Sequence, residues 1–197
     1  MQTAEIAIAP IEGYAAIYGE ADLNGDIVAP GALSAAVANP TRVKLLYQHA
    51  AEIPAGRWLR FEERAKGLYA YGELIIASEA QRERHALLRA GAFDGLSIGF
   101  RTVKARKIPG GRRIAKADLW EVSLVTFPMA PRARLTRIGA ARPVAEISPR
   151  HVPERVDDGF LPPALPPIDP PGPMKDASAS DLARVLRSAA HFVSVSA

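Results

Sequence analysis

The chain contains no cysteine. That removes disulfides, thiolate zinc sites, iron–sulfur clusters and cysteine nucleophiles together. It also lacks a long apolar run. The longest uncharged stretch, Ile27 to Thr41, carries Pro30, Pro40 and Asn39, so it does not span a bilayer. The segment Met1 to Pro10 has Glu5 and no basic cluster ahead of its short apolar run, so no signal peptide is expected. Charge of one sign is not in great excess either. Lys+Arg number 25 and Asp+Glu 21, net +4, which permits an acidic or nucleic-acid partner without demanding one. No internal repeat is visible. A soluble, intracellular protein is the default expectation.

What is present begins with 48% hydrophobic residues, enough for a packed core. Proline is unevenly spread. Of 17 prolines, 10 lie between Pro143 and Pro173. Residues 1–140 hold 19 basic and 14 acidic side chains; the remainder hold 6 and 7. Prolines fix φ and remove backbone donors, so the runs 161–167 and 170–173 suit neither sheet nor helix interior. The sequence therefore predicts a domain over 1–140, a disordered Pro-rich linker over 141–179, and a short amphipathic helix within 180–197. In that helix Leu182, Val185, Leu186, Ala189 and Val193 form one stripe.

Within 1–140 the hydrophobic period is mostly two. It predicts strands over 5–8, 13–18, 43–49, 56–62, 68–76, 96–107, 114–115, 119–127 and 134–138. Helices are expected over 31–38 and over 78–90, the second capped by Ser78. Pro109-Gly110-Gly111 reads as a turn. Strands do not alternate with helices, which excludes a doubly wound sheet. The expected class is mainly β with helices (α+β), a barrel or sandwich with helical decoration.

The sharpest local string is Gly95-Leu96-Ser97-Ile98-Gly99, a G-x-S-x-G match. In α/β-hydrolases such a serine sits between a strand and the following helix. Here a predicted helix precedes it and a strand carries it, and His151 and His191 alone follow it. That excludes the α/β-hydrolase arrangement. A serine nucleophile still needs a base. His85 lies among Arg82, Glu83 and Arg84 and reads as solvated, and His151 and His191 fall in the tail. Elimination leaves His49, at the end of an apolar strand. The plain alternative is a strand-end histidine bonded to a backbone carbonyl.

An orienting carboxylate could be Asp118 or Glu121. Alternation puts Asp118, Trp120, Val122 and Leu124 on one face and Glu121 and Ser123 on the other. Ser97 likewise lies on the less apolar face of its strand, which favours Glu121. A Glu paired to an Arg of a neighbouring strand is the structural alternative. Asp22-Leu23-Asn24-Gly25-Asp26 hints at calcium, but its glycine is fourth rather than sixth, so a turn is expected. The hairpin 104–116 carries Lys104, Arg106, Lys107, Arg112, Arg113 and Lys116 without aromatics. It reads as a solvated basic hairpin rather than a nucleic-acid surface.

Several strings in this order resemble the prohead proteases of tailed bacteriophages and gene transfer agents. They are Gly13-Tyr14-Ala15, the run 24–33, Lys44-Leu45-Leu46-Tyr47-Gln48-His49, the run 87–92, Gly95 to Phe100, and Asp118 to Pro128. The match covers about residues 10–138. The resemblance implies a serine endopeptidase with a closed β-barrel flanked by helices, related in fold to herpesvirus assembly proteases. Its catalytic serine and histidine map to Ser97 and His49, and its third residue is carried to Glu121. No metal or cofactor is implied. The implied substrate is the scaffolding segment of the major capsid protein, followed by the protease itself, inside the procapsid in the host bacterial cytoplasm. Homo-oligomerisation is left open by analogy, with no membrane and no nucleic-acid partner expected. Arg132 and Arg134 are candidates to help bind an oxyanion, with a solvated edge as the alternative. Two departures stand out: Ala50 follows the histidine where the family often has an acid, and Pro128-Met129-Ala130-Pro131 replaces Pro-Ala-Asn-Pro. The competing functional reading is an inactive capsid-assembly or scaffold protein that docks through its tail.

Overall fold

The computed structural model describes residues 6–144. The proline-rich segment from 145 onward, the terminal helix, His151 and His191 lie outside the described residues. The elements run β1 (Ala7–Ile17), β2 (Asp26–Val28), α1 (Ser34–Ala38), a 3-10 turn (Pro40–Arg42), β3 (Lys44–Tyr47) and β4 (Ala50–Arg64). There follow β5 (Gly67–Ile76), α2 (Glu79–Arg89), β6 (Gly95–Ile108), β7 (Gly111–Val125), β8 (Leu135–Ile138) and β9 (Arg142–Pro143). The fold is mainly β with few helices.

All the strands join one curled sheet in the order β2-β7-β3-β4-β5-β1-β8, with β6 also on β7 and β9 on β1. The long strand β7 organises it. It pairs antiparallel with β6 and parallel with both β2 and β3. The other pairings are antiparallel. At the start of β6, Leu96 N donates to Ala133 O at 2.9 Å and Leu135 N to Asp94 O at 2.8 Å.

The core fills the inside of this curl. Trp58, Phe61, Leu45, Leu96 and Leu124 are all but fully buried. Each such side chain contributes about 2 kcal/mol by leaving water. Trp58 also donates from Nε1 to Val122 O at 3.2 Å, tying β4 to β7 beneath the site described below.

Helix α2 starts where the sequence predicts. Ser78 Oγ accepts from Gln81 N at 3.3 Å, and Gln81 Oε1 accepts from Ser78 N at 3.0 Å, a capping box. Its buried residues are His85 and Leu88, one turn apart on the face turned to the sheet. His85 is thus not solvated as expected. It is 7% exposed and its Nε2 lies 3.0 Å from Gly139 O. The charged neighbours Arg82, Glu83 and Arg84 had disguised the helix's inner face.

Two further departures have physical causes. The expected strands 5–8 and 13–18 are one strand, β1, continuous through Pro10. Pro10 O accepts from Gly139 N at 2.7 Å. Within a strand a residue's N–H and C=O point the same way, so the missing donor of Pro10 faces that side. There β9 pairs only residues 7–8 and β8 only 11–13, so no ladder bond is lost. The expected segments 114–115 and 119–127 are likewise one strand. Its register with β6 shifts at three places, and the shift nearest the site falls where Gly99 opposes Glu121 but Phe100 opposes Leu119. This bulge at Trp120 flips the phase. Ala117 and Leu119 turn inward with Val122 and Leu124, and Trp120 is 44% exposed rather than on the core face.

Candidate active site

Register brings the site together. On β7, Glu121 and Ser123 are two apart and share a face. Across the antiparallel pair, Ser97 opposes Ser123 and Gly99 opposes Glu121. Across the parallel pair, Lys44 is aligned with Glu121 and Leu46 with Ser123. The three strands therefore place Ser97, Ser123 and Glu121 on one patch of the sheet.

His49 reaches this patch because the chain turns sharply after β3. Gln48 has φ 51° and His49 has φ 59°, two successive left-handed residues that are not glycine. Such a pair is uncommon, and each position costs about 1–3 kcal/mol unless surroundings hold it. Gln48 supplies that hold. Its N donates to Leu124 O at 2.9 Å, and its Nε2 donates to Thr126 Oγ1 at 3.0 Å. Leu124 lies at the end of β7 and Thr126 just past it, so the turn is tied to the strand that carries Glu121.

The imidazole Nδ1 of His49 lies 2.6 Å from Glu121 Oε1. A carboxylate only accepts, so the proton of the bond is on Nδ1. In the neutral ring that leaves Nε2 as the basic nitrogen. The side chain of His49 is 43% exposed and that of Glu121 15%. The hydrogen bond to Glu121 raises the pKa of His49 above the usual imidazole value; partial burial opposes this and the carboxylate's charge reinforces it. The second carboxylate oxygen, Oε2, accepts from Ser123 Oγ at 2.5 Å.

Ser97 is 3% exposed, and its Oγ has no hydrogen-bond partner among the described residues. It opposes Ser123 in the ladder but is not bonded to His49. A cavity of about 200 Å³ borders Ser97, between the ends of β1, β2 and β6.

The glycines of Gly95-Leu96-Ser97-Ile98-Gly99 have packing reasons. A Cβ on Gly99 would stand 2.2 Å from Glu121 Oε1. The glycine therefore makes room for the carboxylate that meets His49. A Cβ on Gly95 would stand 2.6 Å from Val125 O and 2.8 Å from Pro128 Cδ. Neither glycine marks a strand-to-helix elbow, since Ser97 sits within β6.

The other sequence candidates lie apart from this cluster. Asp118 pairs with Arg101 at 2.5 Å, and Glu121, whose partners are His49 and Ser123, binds no arginine among the described residues, as the structural alternative required. Arg132 pairs with Glu20, and Arg134 pairs with Asp94 and donates to Pro131 O; neither bonds to Ser97. Asp22 is a turn residue: its Oδ1 accepts from Asn24 N at 2.8 Å and Asp26 N at 2.9 Å. Arg112 of the basic hairpin is held by Asp26, while Lys104, Arg106, Lys107 and Lys116 are exposed. Among the described residues no three His, Asp or Glu side chains converge as metal ligands. Sequence reasoning gave Ser123 no role and passed over Gln48. The first was detectable as a small polar residue two positions from Glu121. The second depends on a backbone turn that non-glycine residues do not announce.

Comparison with known proteins agrees with the strings that the sequence offers. The family described as caudovirus prohead serine protease matches residues 2–146, which include His49, Ser97 and Glu121. The prohead protease of Enterobacteria phage HK97 is 37% identical over 127 residues, covering 62% of this chain. The chain spans 56% of that relative's length. Among solved structures, the protease of varicella-zoster virus aligns with a TM-score of 0.44 at 14% identity, over 68% of this chain and 64% of its own. The KSHV protease in complex with a hexapeptide phosphonate inhibitor aligns with a TM-score of 0.46 at 14% identity, over 68% and 65%.

Proposed function

Because the chain belongs to the caudovirus prohead serine protease family, we propose that it is a serine endopeptidase of capsid maturation, with Ser97 as nucleophile, His49 as base and Glu121 as the group that orients the base. The observation that carries this reading is the 2.6 Å bond from His49 Nδ1 to Glu121, on the same patch as Ser97. It leaves Nε2 as the nitrogen that can take a proton, and among the described residues Ser97 Oγ has no competing partner to surrender.

The reaction is acyl transfer. Ser97 Oγ turns to Nε2, gives up its proton and attacks the scissile carbonyl carbon. The imidazolium, steadied by the Glu121 carboxylate, returns that proton to the leaving amine as the C–N bond breaks. Water, deprotonated by the same nitrogen, then hydrolyses the ester and frees Ser97. No metal or cofactor enters.

The substrate is the scaffolding segment of the major capsid protein, and then the protease chain, within the procapsid of an infected or gene-transferring bacterium. The catalytic unit is the domain of residues 1–140, and the tail serves delivery, docking or self-removal. The sheet is read as a closed barrel, since the bonds of Leu96 to Ala133 and Leu135 to Asp94 carry the ladder from β6 to the start of β8.

Co-expression with the capsid protein tests this. The wild-type chain is expected to shorten the capsid protein, and Ser97→Ala to lose that cleavage by about 10³-fold or more. Equal capsid-protein lengths with both would reject the reading and favour the scaffold alternative.

A further inference from the structure

We propose that Ser123 is a positioning residue whose hydroxyl fixes the Glu121 carboxylate in the orientation that meets His49. The proposal rests on reading Glu121 as the partner of a catalytic His49.

The geometry is a two-point hold. Ser123 Oγ donates to Oε2 of Glu121 at 2.5 Å, while His49 Nδ1 meets Oε1 at 2.6 Å. Different oxygens are used, so together the two bonds set the carboxylate plane. A free glutamate side chain loses rotamer entropy on adopting one orientation, and a single exposed imidazole offsets little of that. The Ser123 bond runs from a neutral hydroxyl to a carboxylate, so it is charge-assisted.

The donor itself is immobile. Ser123 is fully buried, aligned with Ser97 on β6 and Leu46 on β3. A buried hydroxyl left unbonded is costly, so it keeps its acceptor. Gly99, facing Glu121 from β6, has no side chain to take over, and Lys44, aligned with it on β3, is exposed. Ser123 thus acts through Glu121 and needs no contact with substrate.

The test uses the full chain carrying Ser97→Ala, so that no self-cleavage intervenes. The ring protons of His49 and His85 are followed by NMR across pH. Adding Ser123→Ala is expected to lower the His49 midpoint towards the ordinary imidazole value, because the carboxylate is no longer aimed at Nδ1. Adding Ser123→Thr, which keeps a hydroxyl, is expected to leave it where it was. His85, bonded to Gly139 O, reports that the fold is intact. If Ser123→Ala loses that signal, Ser123→Cys, with similar volume and a weaker donor, is read in its place. With Ser97 restored, Ser123→Ala is expected to lower kcat on the capsid protein about tenfold with KM little changed, and Ser123→Thr to recover it. An unchanged His49 midpoint in Ser123→Ala overturns the proposal. So does an equal fall in Ser123→Thr, which would mean packing rather than donation. The titration needs no peptidase activity, so an inactive chain would reject the protease reading without touching this result.

Discussion

The Nδ1 atom of His49 and the Oε1 atom of Glu121 lie 2.6 Å apart although 72 positions separate the two residues. The parallel register of β3 on β7 and the left-handed turn at Gln48–His49 together create that contact. Most chemical expectations for this protein follow from it.

The first concerns pH. If Glu121 holds the pKa of His49 up, peptidase rate rises with pH through that raised value as Nε2 becomes neutral. Glu121→Gln removes the charge, so the inflection moves to lower pH and kcat falls by about 10²–10⁴-fold. Asp118→Ala, which breaks only an exposed pair with Arg101, changes kcat less than about twofold. The same shift has a stability consequence. A histidine whose folded pKa is raised adds stability that is fully present below the unfolded value of about 6.5 and fades as pH rises through the folded value. Thermal melts of wild type and Glu121→Gln should therefore differ most at acid pH, short of carboxylate protonation, and converge as pH rises through the raised value.

The second concerns Gly99. Its substitution by alanine puts a Cβ against the Glu121 carboxylate, and the carboxylate must move away. We expect a loss of about 1–3 kcal/mol in a denaturation curve. Activity should fall further than stability explains, because the His49 contact is lost with the displaced carboxylate. An alanine variant with wild-type kcat would show that Glu121's position is not critical.

The third concerns where the catalytic unit ends. The last described pairing is β9, where Arg142 and Pro143 lie against Ile8 and Ala7. A chain stopped after Val144 keeps that pairing and loses the remaining prolines. It is expected to cleave a capsid-protein peptide at a rate within about twofold of the full chain, since it omits no residue of the site. Loss of activity on that supplied peptide would place part of the catalytic unit in the tail.

Much of the site is legible in the sequence because strands alternate. Period two alone puts Glu121 and Ser123 on one face and Ser97 on the corresponding face of its strand, and the structure lays these faces side by side. Alternation fails where the backbone departs from it. The bulge at Trp120 reverses the phase of β7, so Trp120 is exposed and Leu119 buried. Nothing in a hydrophobic pattern marks an extra residue of that kind. The turn that aims His49 is equally silent, since left-handed backbone is usually announced by glycine and here falls on Gln48 and His49. His85 is hidden from such a pattern because polar neighbours in sequence are not neighbours on a helix face. The two-residue β9 and three-residue β2 carry too few positions to show a period at all.

The central claim is that Ser97 is the nucleophile, and a covalent probe tests it most directly. Full-length protein is treated with a fluorophosphonate, which is attacked by an activated serine hydroxyl, then digested with trypsin and mapped by mass spectrometry. The account predicts an adduct on the peptide of residues 90–101, localised to Ser97, and lost in His49→Ala. An adduct on Ser123 or another serine instead, in protein that cleaves its capsid substrate, would contradict it.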